Sequence, residues 1–156
     1  MSVDGMTQAA RAVHAGEGDL VWFTNNLMTV KATAETTGGA YGLVEALAPV
    51  GASPPLHIQH GEDETFYVLE GELTFQLVDE LVTAGPGEVV FAPRGVPHTF
   101  ANRGDAPARY LIACTPAGFE RYFARLAAER QGVDPPDWAL QPLPPVEILG
   151  PQIGAS

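Results

Sequence analysis

A chain of 156 residues, with nineteen acidic against eight basic side chains and a formal net charge of −11, is expected to form a single domain, 1–156, with a real core. The charge argues against nucleic acid and against an anionic membrane as partner. Seventeen glycines and fourteen prolines favour many short strands and turns over a helical bundle. The single cysteine, Cys114, rules out an intrachain disulfide and fits a reducing compartment. The first twenty residues hold no apolar core of signal-peptide length, and no apolar run approaches a membrane span, so a cytoplasmic location is expected.

Residues 1–18 are small and polar and read as poorly ordered or draped. Leu20–Phe23 and Leu27–Lys31 are rich in strand formers, with Asn25-Asn26 as a turn signal between them. Gly38-Gly39 marks a second turn. From Tyr41 to Leu47 the pattern alternates, placing Tyr41, Leu43, Glu45 and Leu47 on one face. His57 and Gln59 share a face by strand parity, and His60 points the other way unless a bulge intervenes. Gly61-Glu62-Asp63 reads as a turn with solvated charges. Glu64 opens the next strand, with Phe66 and Val68 in parity, and Gly71 turns the chain into Leu73–Val78. Gly87 and Pro93-Arg94-Gly95 are turn residues, after which His98, Phe100 and Asn102 share parity. Ala108–Cys114 closes the sheet, with Cys114 read as a buried apolar residue.

Thr115-Pro116 has the form of a helix start, a threonine cap followed by proline at the first helical position. Phe119, Tyr122, Phe123 and Leu126 then recur at helical spacing, which predicts a helix over about 116–131, ending near Gly132. The stripe reads as the face packed on the barrel, with a substrate wall as the other reading. Residues 133–156 hold six prolines and are expected to be irregular. Trp138, Leu140, Leu143, Val146, Ile148 and Leu149 make this tail too apolar to hang free, so it is expected to dock on the barrel or on a second subunit. No internal repeat is visible, so one module is expected, with its core over about 20–116.

Two stretches carry the chemistry. The first has the spacing G-x5-H-x-Q-x4-E-x6-G from Gly51 through His57, Gln59 and Glu64 to Gly71. The second has G-x5-P-x-G-x2-H-x3-N from Gly87 through Pro93, Gly95 and His98 to Asn102. Leaving Gln59 aside, nine fixed identities at this spacing arise by chance on the order of 10⁻⁹, so unrelated glycines and histidines are a poor account of the whole pattern. The pair resembles the two-part signature of the cupin superfamily over about residues 20–116, with Gln59 where the family usually has its second histidine. Tyr41–Glu45, Phe66–Gly71 and Thr115–Phe119 look like the small single-domain cupins called quercetin-dioxygenase-like.

The resemblance implies an all-β double-stranded β-helix, or jelly-roll barrel, with a C-terminal helix, and a homodimer. It also implies that His57, Gln59, Glu64 and His98 meet inside the barrel and collect one divalent metal ion: Fe, Mn, Co, Ni or Zn. If Gln59 does not bind, two histidines and one carboxylate remain, a facial-triad composition. The implied activity is dioxygen-dependent cleavage of a flavonol-like or 1,3-dicarbonyl substrate, with Glu64 as the catalytic residue that accepts the enol proton. Phe66, Val68, Phe75 and Phe100 would line a space suited to a planar, apolar small molecule. Two alternatives stand beside it: non-redox isomerisation, cyclisation or decarboxylation at the same ion, and a non-enzymatic ligand-binding module.

Overall fold

The computed structural model describes residues 9–23 and 26–153. Expectations for residues 1–8 and for Asn25 lie outside the described residues. Among the described residues eleven strands run in chain order as β1 (Asp19–Phe23), β2 (Asn26–Ala32), β3 (Gly42–Ala48), β4 (His57–Gln59), β5 (Asp63–Glu70), β6 (Leu73–Leu77), β7 (Glu80–Ala84), β8 (Val89–Ala92), β9 (His98–Ala101), β10 (Ala108–Thr115) and β11 (Val146–Ile148). A one-turn helix α1 (Ala34–Thr37) follows β2, and helix α2 (Glu120–Gln131) follows β10. The strands form two antiparallel sheets, ordered β1-β2-β3-β10-β5-β8 and β11-β4-β9-β6-β7. This is the predicted jelly-roll barrel with a C-terminal helix.

Alternation along the strands sets what lies inside. Val44, Ala46 and Ala48 of β3 are buried while Tyr41 and Leu47 are exposed, and Phe66 and Val68 of β5 are buried while Tyr67 is exposed. The rings of Phe66, Phe75, Phe100 and Tyr110 meet with centroids 5.1–5.8 Å apart and make an aromatic core between the sheets. Tyr110 donates its hydroxyl to Asn26 Oδ1 at 2.8 Å, which satisfies a polar pair inside that core.

The glycines and the asparagine of the motifs build turns. A Cβ on Gly71 would sit 2.7 Å from the Pro107 carbonyl oxygen, and its φ of 75° is left-handed, so only glycine fits. Asn102 donates to the Ala48 and Ala106 carbonyls at 3.0 and 2.8 Å and accepts from the Gly104 amide at 3.0 Å, clamping the turn after β9.

Three expectations need correction. The helix begins at Glu120, not at Pro116. Thr115 is the last residue of β10, paired with Asp63, so it cannot cap a helix, and the Thr115-Pro116 bond is cis. The chain instead turns on the Glu120 carboxylate, which accepts from the Gly118 and Ala34 amides at 2.7 and 2.8 Å. Second, the tail is not wholly irregular. Val146–Ile148 pairs with β4 and extends its sheet, and a 3₁₀ turn at Asp137–Leu140 seats Ala139 in the core. Half-buried Trp138 donates its indole N–H to Asp19 Oδ2 at 2.7 Å. Third, the Gly38-Gly39 turn is preceded by the short helix α1, whose start Thr33 and Thr36 cap reciprocally.

Candidate metal centre

Three strands deliver the polar cluster. His57 on β4 and His98 on β9 are register partners in one sheet, with ring centroids 4.4 Å apart. Glu64 opens β5 in the facing sheet, between Cys114 and Ala92. One ligand atom from each of His57, Glu64 and His98 lies within 4.8 Å of the other two. That is close to the span of two metal–ligand bonds of about 2.1 Å each. Gln59, two residues beyond His57 on the same face, is buried, and its amide nitrogen donates to Glu64 Oε1. The Gly95 amide holds the Gln59 carbonyl at 2.8 Å, tying the second motif's turn to the first motif's strand.

The protonation pattern fits a cation. His57 Nδ1 lies 2.9 Å from the Pro55 carbonyl and His98 Nδ1 lies 3.1 Å from the Val96 carbonyl. Each Nδ1 therefore donates its hydrogen, and each ring, when neutral, presents the Nε2 lone pair inward. His98 Nε2 faces Glu64 Oε2 at 3.4 Å, lone pair toward carboxylate. Either a second proton or a metal ion has to mediate between them. Gln59 Oε1 is buried with no hydrogen-bond partner, a further donor atom left open beside the same carboxylate. The donor set of imidazole nitrogens, one carboxylate and one amide oxygen suits a borderline divalent ion.

Charges within the cluster follow from burial and proximity. Burial lowers the His57 pKa, only partly offset by the Glu64 charge, so this imidazole stays neutral. Burial opposes charge on His98 too, but the hydrogen bond and charge of Glu64 outweigh it and raise its pKa. Burial would raise the Glu64 carboxyl, yet the hydrogen bond and charge of His98, the proximity of the His57 ring and the Gln59 amide hold it below the ordinary carboxylate range. Cys114 is buried, and its thiol is pushed well above its usual pKa by burial and by Glu64, Glu120 and Glu62. That makes it an inert core residue.

His60 is exposed and meets Glu147 of β11 at 3.3 Å, pointing away from the cluster. Arg94 faces solvent and pairs with Asp63 at 3.1 Å. Glu62 departs from the expected solvated turn. It is 2% exposed, and neither carboxylate oxygen has a hydrogen-bond partner. Burial, then the charge of Glu64, raises its pKa to about 7. The signal was present in the sequence: Glu62 shares strand parity with Glu64, so whatever turns one inward turns both.

A cavity of about 360 Å³ opens onto the centre, bordered by His57 and Glu64. Of the four apolar residues proposed for substrate, only Phe100 borders it. Phe66, Val68 and Phe75 are at most 1% exposed and belong to the aromatic core behind. The stripe of α2 supplies the opposite wall, with Phe119, Tyr122, Phe123 and Leu126, and the tail strand adds Val146 and Ile148. The helix stripe thus packs on the barrel and walls the cavity at once. The tail's part was hidden because a three-residue strand pairs by backbone and leaves little mark in sequence.

Residues 43–114 match the family model described as Cupin domain. The chain is 26% identical over 121 residues to quercetin 2,3-dioxygenase of Bacillus subtilis, covering 77% of this chain and 35% of that protein. It is 34% identical over 93 residues to the tetracenomycin polyketide synthase protein TcmJ of Streptomyces glaucescens, covering 60% of each. It therefore spans less than two-thirds of either relative. A predicted oxalate decarboxylase from Thermotoga maritima superposes with a TM-score of 0.63 at 24% identity, covering 68% of this chain and 99% of that one, which shows the shared fold. Among the described residues no helix is long and apolar enough to cross a membrane. Motif, family model and fold agree: residues 43–114 match a cupin domain, and the barrel has the cupin double-stranded β-helix fold.

Proposed function

We propose that this protein is a metal-dependent enzyme acting on a flat, mostly apolar, oxygen-bearing small molecule, and that its reaction is dioxygen-dependent cleavage of a flavonol-like or 1,3-dicarbonyl compound. One observation carries this reading: two histidines and a carboxylate converge, and His57 and Glu64 of that cluster border a cavity whose wall is mostly aromatic and aliphatic. His57, Glu64 and His98 would hold the ion, with Gln59 Oε1 as a fourth donor. A bound divalent ion supplies Lewis acidity and, when redox-active, electron exchange with dioxygen.

The chain's own residues do the rest. Glu64, kept ionised by its neighbours, accepts the proton of the substrate's enol hydroxyl as that oxygen enters the centre. The Gln59 amide fixes the orientation of the carboxylate. Phe100 and the α2 stripe hold the planar ring and exclude water. The likeness to the quercetin 2,3-dioxygenase of Bacillus subtilis supports the oxygenase reading.

Gln59 favours a second reading, non-redox cyclisation or isomerisation, because a Lewis acid is less demanding of its ligands than a redox ion. The likeness to a polyketide synthase protein supports it. The test loads the full chain in turn with Fe, Mn, Co, Ni and Zn and follows dioxygen uptake and substrate loss on a flavonol and 1,3-dicarbonyl panel. Uptake matched to substrate loss with a redox-active ion, and none with zinc, is expected. Conversion without uptake contradicts the first reading and supports the second. Binding without conversion under any ion contradicts both.

A further inference from the structure

The cavity has two polar ends. One is the His57–Glu64 wall. The other is Arg130 in the last turn of α2, with Gln152 of the tail beside the same cavity. Asn26 also borders the cavity, but its side-chain oxygen already accepts from Tyr110. The helix sets the distance between the ends. Glu120, next to Phe119, fills the space over Gly42, which pairs with Cys114, which pairs with Glu64. The start of α2 is therefore level with the metal centre. Arg130 lies about 15 Å of helix rise further along.

Arg130 differs from its neighbours on the helix. Arg121 bonds Glu35 at 3.1 Å and the Pro142 carbonyl at 3.3 Å, and Arg125 bonds the Gln141 carbonyl at 3.4 Å. Arg130 is exposed and makes no ion pair or hydrogen bond with a described residue. In a chain with nineteen acids and eight bases, a guanidinium left open beside the cavity is a local exception to a repulsive field. A helix C-terminus favours a cation electrostatically, but that gives no reason for the side chain to border the cavity.

We propose that Arg130 is a specificity-determining residue that receives a carboxylate on the substrate, at the end remote from the oxygen entering the metal centre. The substrate class is then a planar enol or phenol bearing an acid group, such as an aromatic or polyketide acid. This rests on the proposed function above.

The test measures binding of two probes, 3-hydroxyflavone and its 4′-carboxylate, to the full chain loaded with zinc, which has no redox chemistry of its own. Fluorescence titration at low salt should show the carboxylate bound about fivefold more tightly. Arg130→Gln should erase that preference while leaving the uncharged probe unchanged. Arg130→Lys should keep most of it, and Arg125→Gln should keep all of it. Higher salt should shrink the preference. Equal binding of both probes to the wild type overturns the proposal and spares the functional reading. So does a preference that survives Arg130→Gln or that Arg125→Gln abolishes as well. Failure of both probes to bind overturns the functional reading and the proposal together.

Discussion

Gln59 is the buried polar side chain beside the His57–Glu64–His98 cluster, and it makes the sharpest substitutions. Its amide oxygen is buried and open, and His60 beside it is exposed and paired with Glu147. Gln59→His replaces a weak donor by a strong one and should strengthen metal retention after dialysis against a mild chelator. His60→Ala should leave retention nearly unchanged. A reversal of these two results contradicts the register drawn for β4. Glu62 makes a different prediction, for the metal-free protein. Its pKa rises from 4.5 to about 7 on folding. Between those values the folded chain keeps a proton that the unfolded chain has lost, so stability falls as pH rises through the window. The cost is absent below about 4.5 and complete above about 7. Glu62→Gln should therefore gain roughly 1–3 kcal/mol over the wild type above pH 7 and little below pH 4.5. Urea titrations at both ends of the window check this, and a pH-independent difference contradicts it.

Among the elements, α2 and β11 turn a barrel into a barrel with a walled cavity. Phe123 is 4% exposed and meets Phe119 edge-to-face at 5.1 Å. Phe123→Ala should cost about 3–4 kcal/mol, read by denaturant unfolding. A loss below about 1 kcal/mol would mean that the helix is not anchored through this ring. Ending the chain at Gln141 removes β11 and bares the edge of β4. The melting temperature should drop by roughly 2–4 °C for each kcal/mol lost, and flavonol binding should weaken as the cavity loses Val146 and Ile148. Unchanged stability and binding in the truncated chain would contradict the docking of the tail. The helix was legible in its 3.6-residue stripe, and its end at Gly132, with φ of 67°, was legible too. Its start was not, because Thr115 satisfies the local rule for a cap while the sheet claims its backbone. Pairing of β11 with β4 is a tertiary event between segments far apart in sequence, and the prolines around it argue locally for loop.

For the whole molecule, the two motifs fixed most of what can be read from sequence. Glycine spacing set the turns, and strand parity put His57, Gln59, Glu64 and His98 on inward faces and His60 outside. What parity could not supply was depth. Phe66, Val68 and Phe75 point inward but stand behind the centre, whereas much of the cavity wall comes from outside the motifs, from the α2 stripe and β11. The central claim is that these four side chains form a site for one divalent ion. Elemental analysis of the full chain, purified without a metal-chelating tag and dialysed against a mild chelator, tests it most directly. About one equivalent of Fe, Mn, Co, Ni or Zn should remain on the wild type, and His57→Ala or His98→Ala should abolish retention while the fold persists by circular dichroism. A wild type that takes up no divalent ion when it is supplied in excess, or retention that survives both histidine substitutions, would contradict the account.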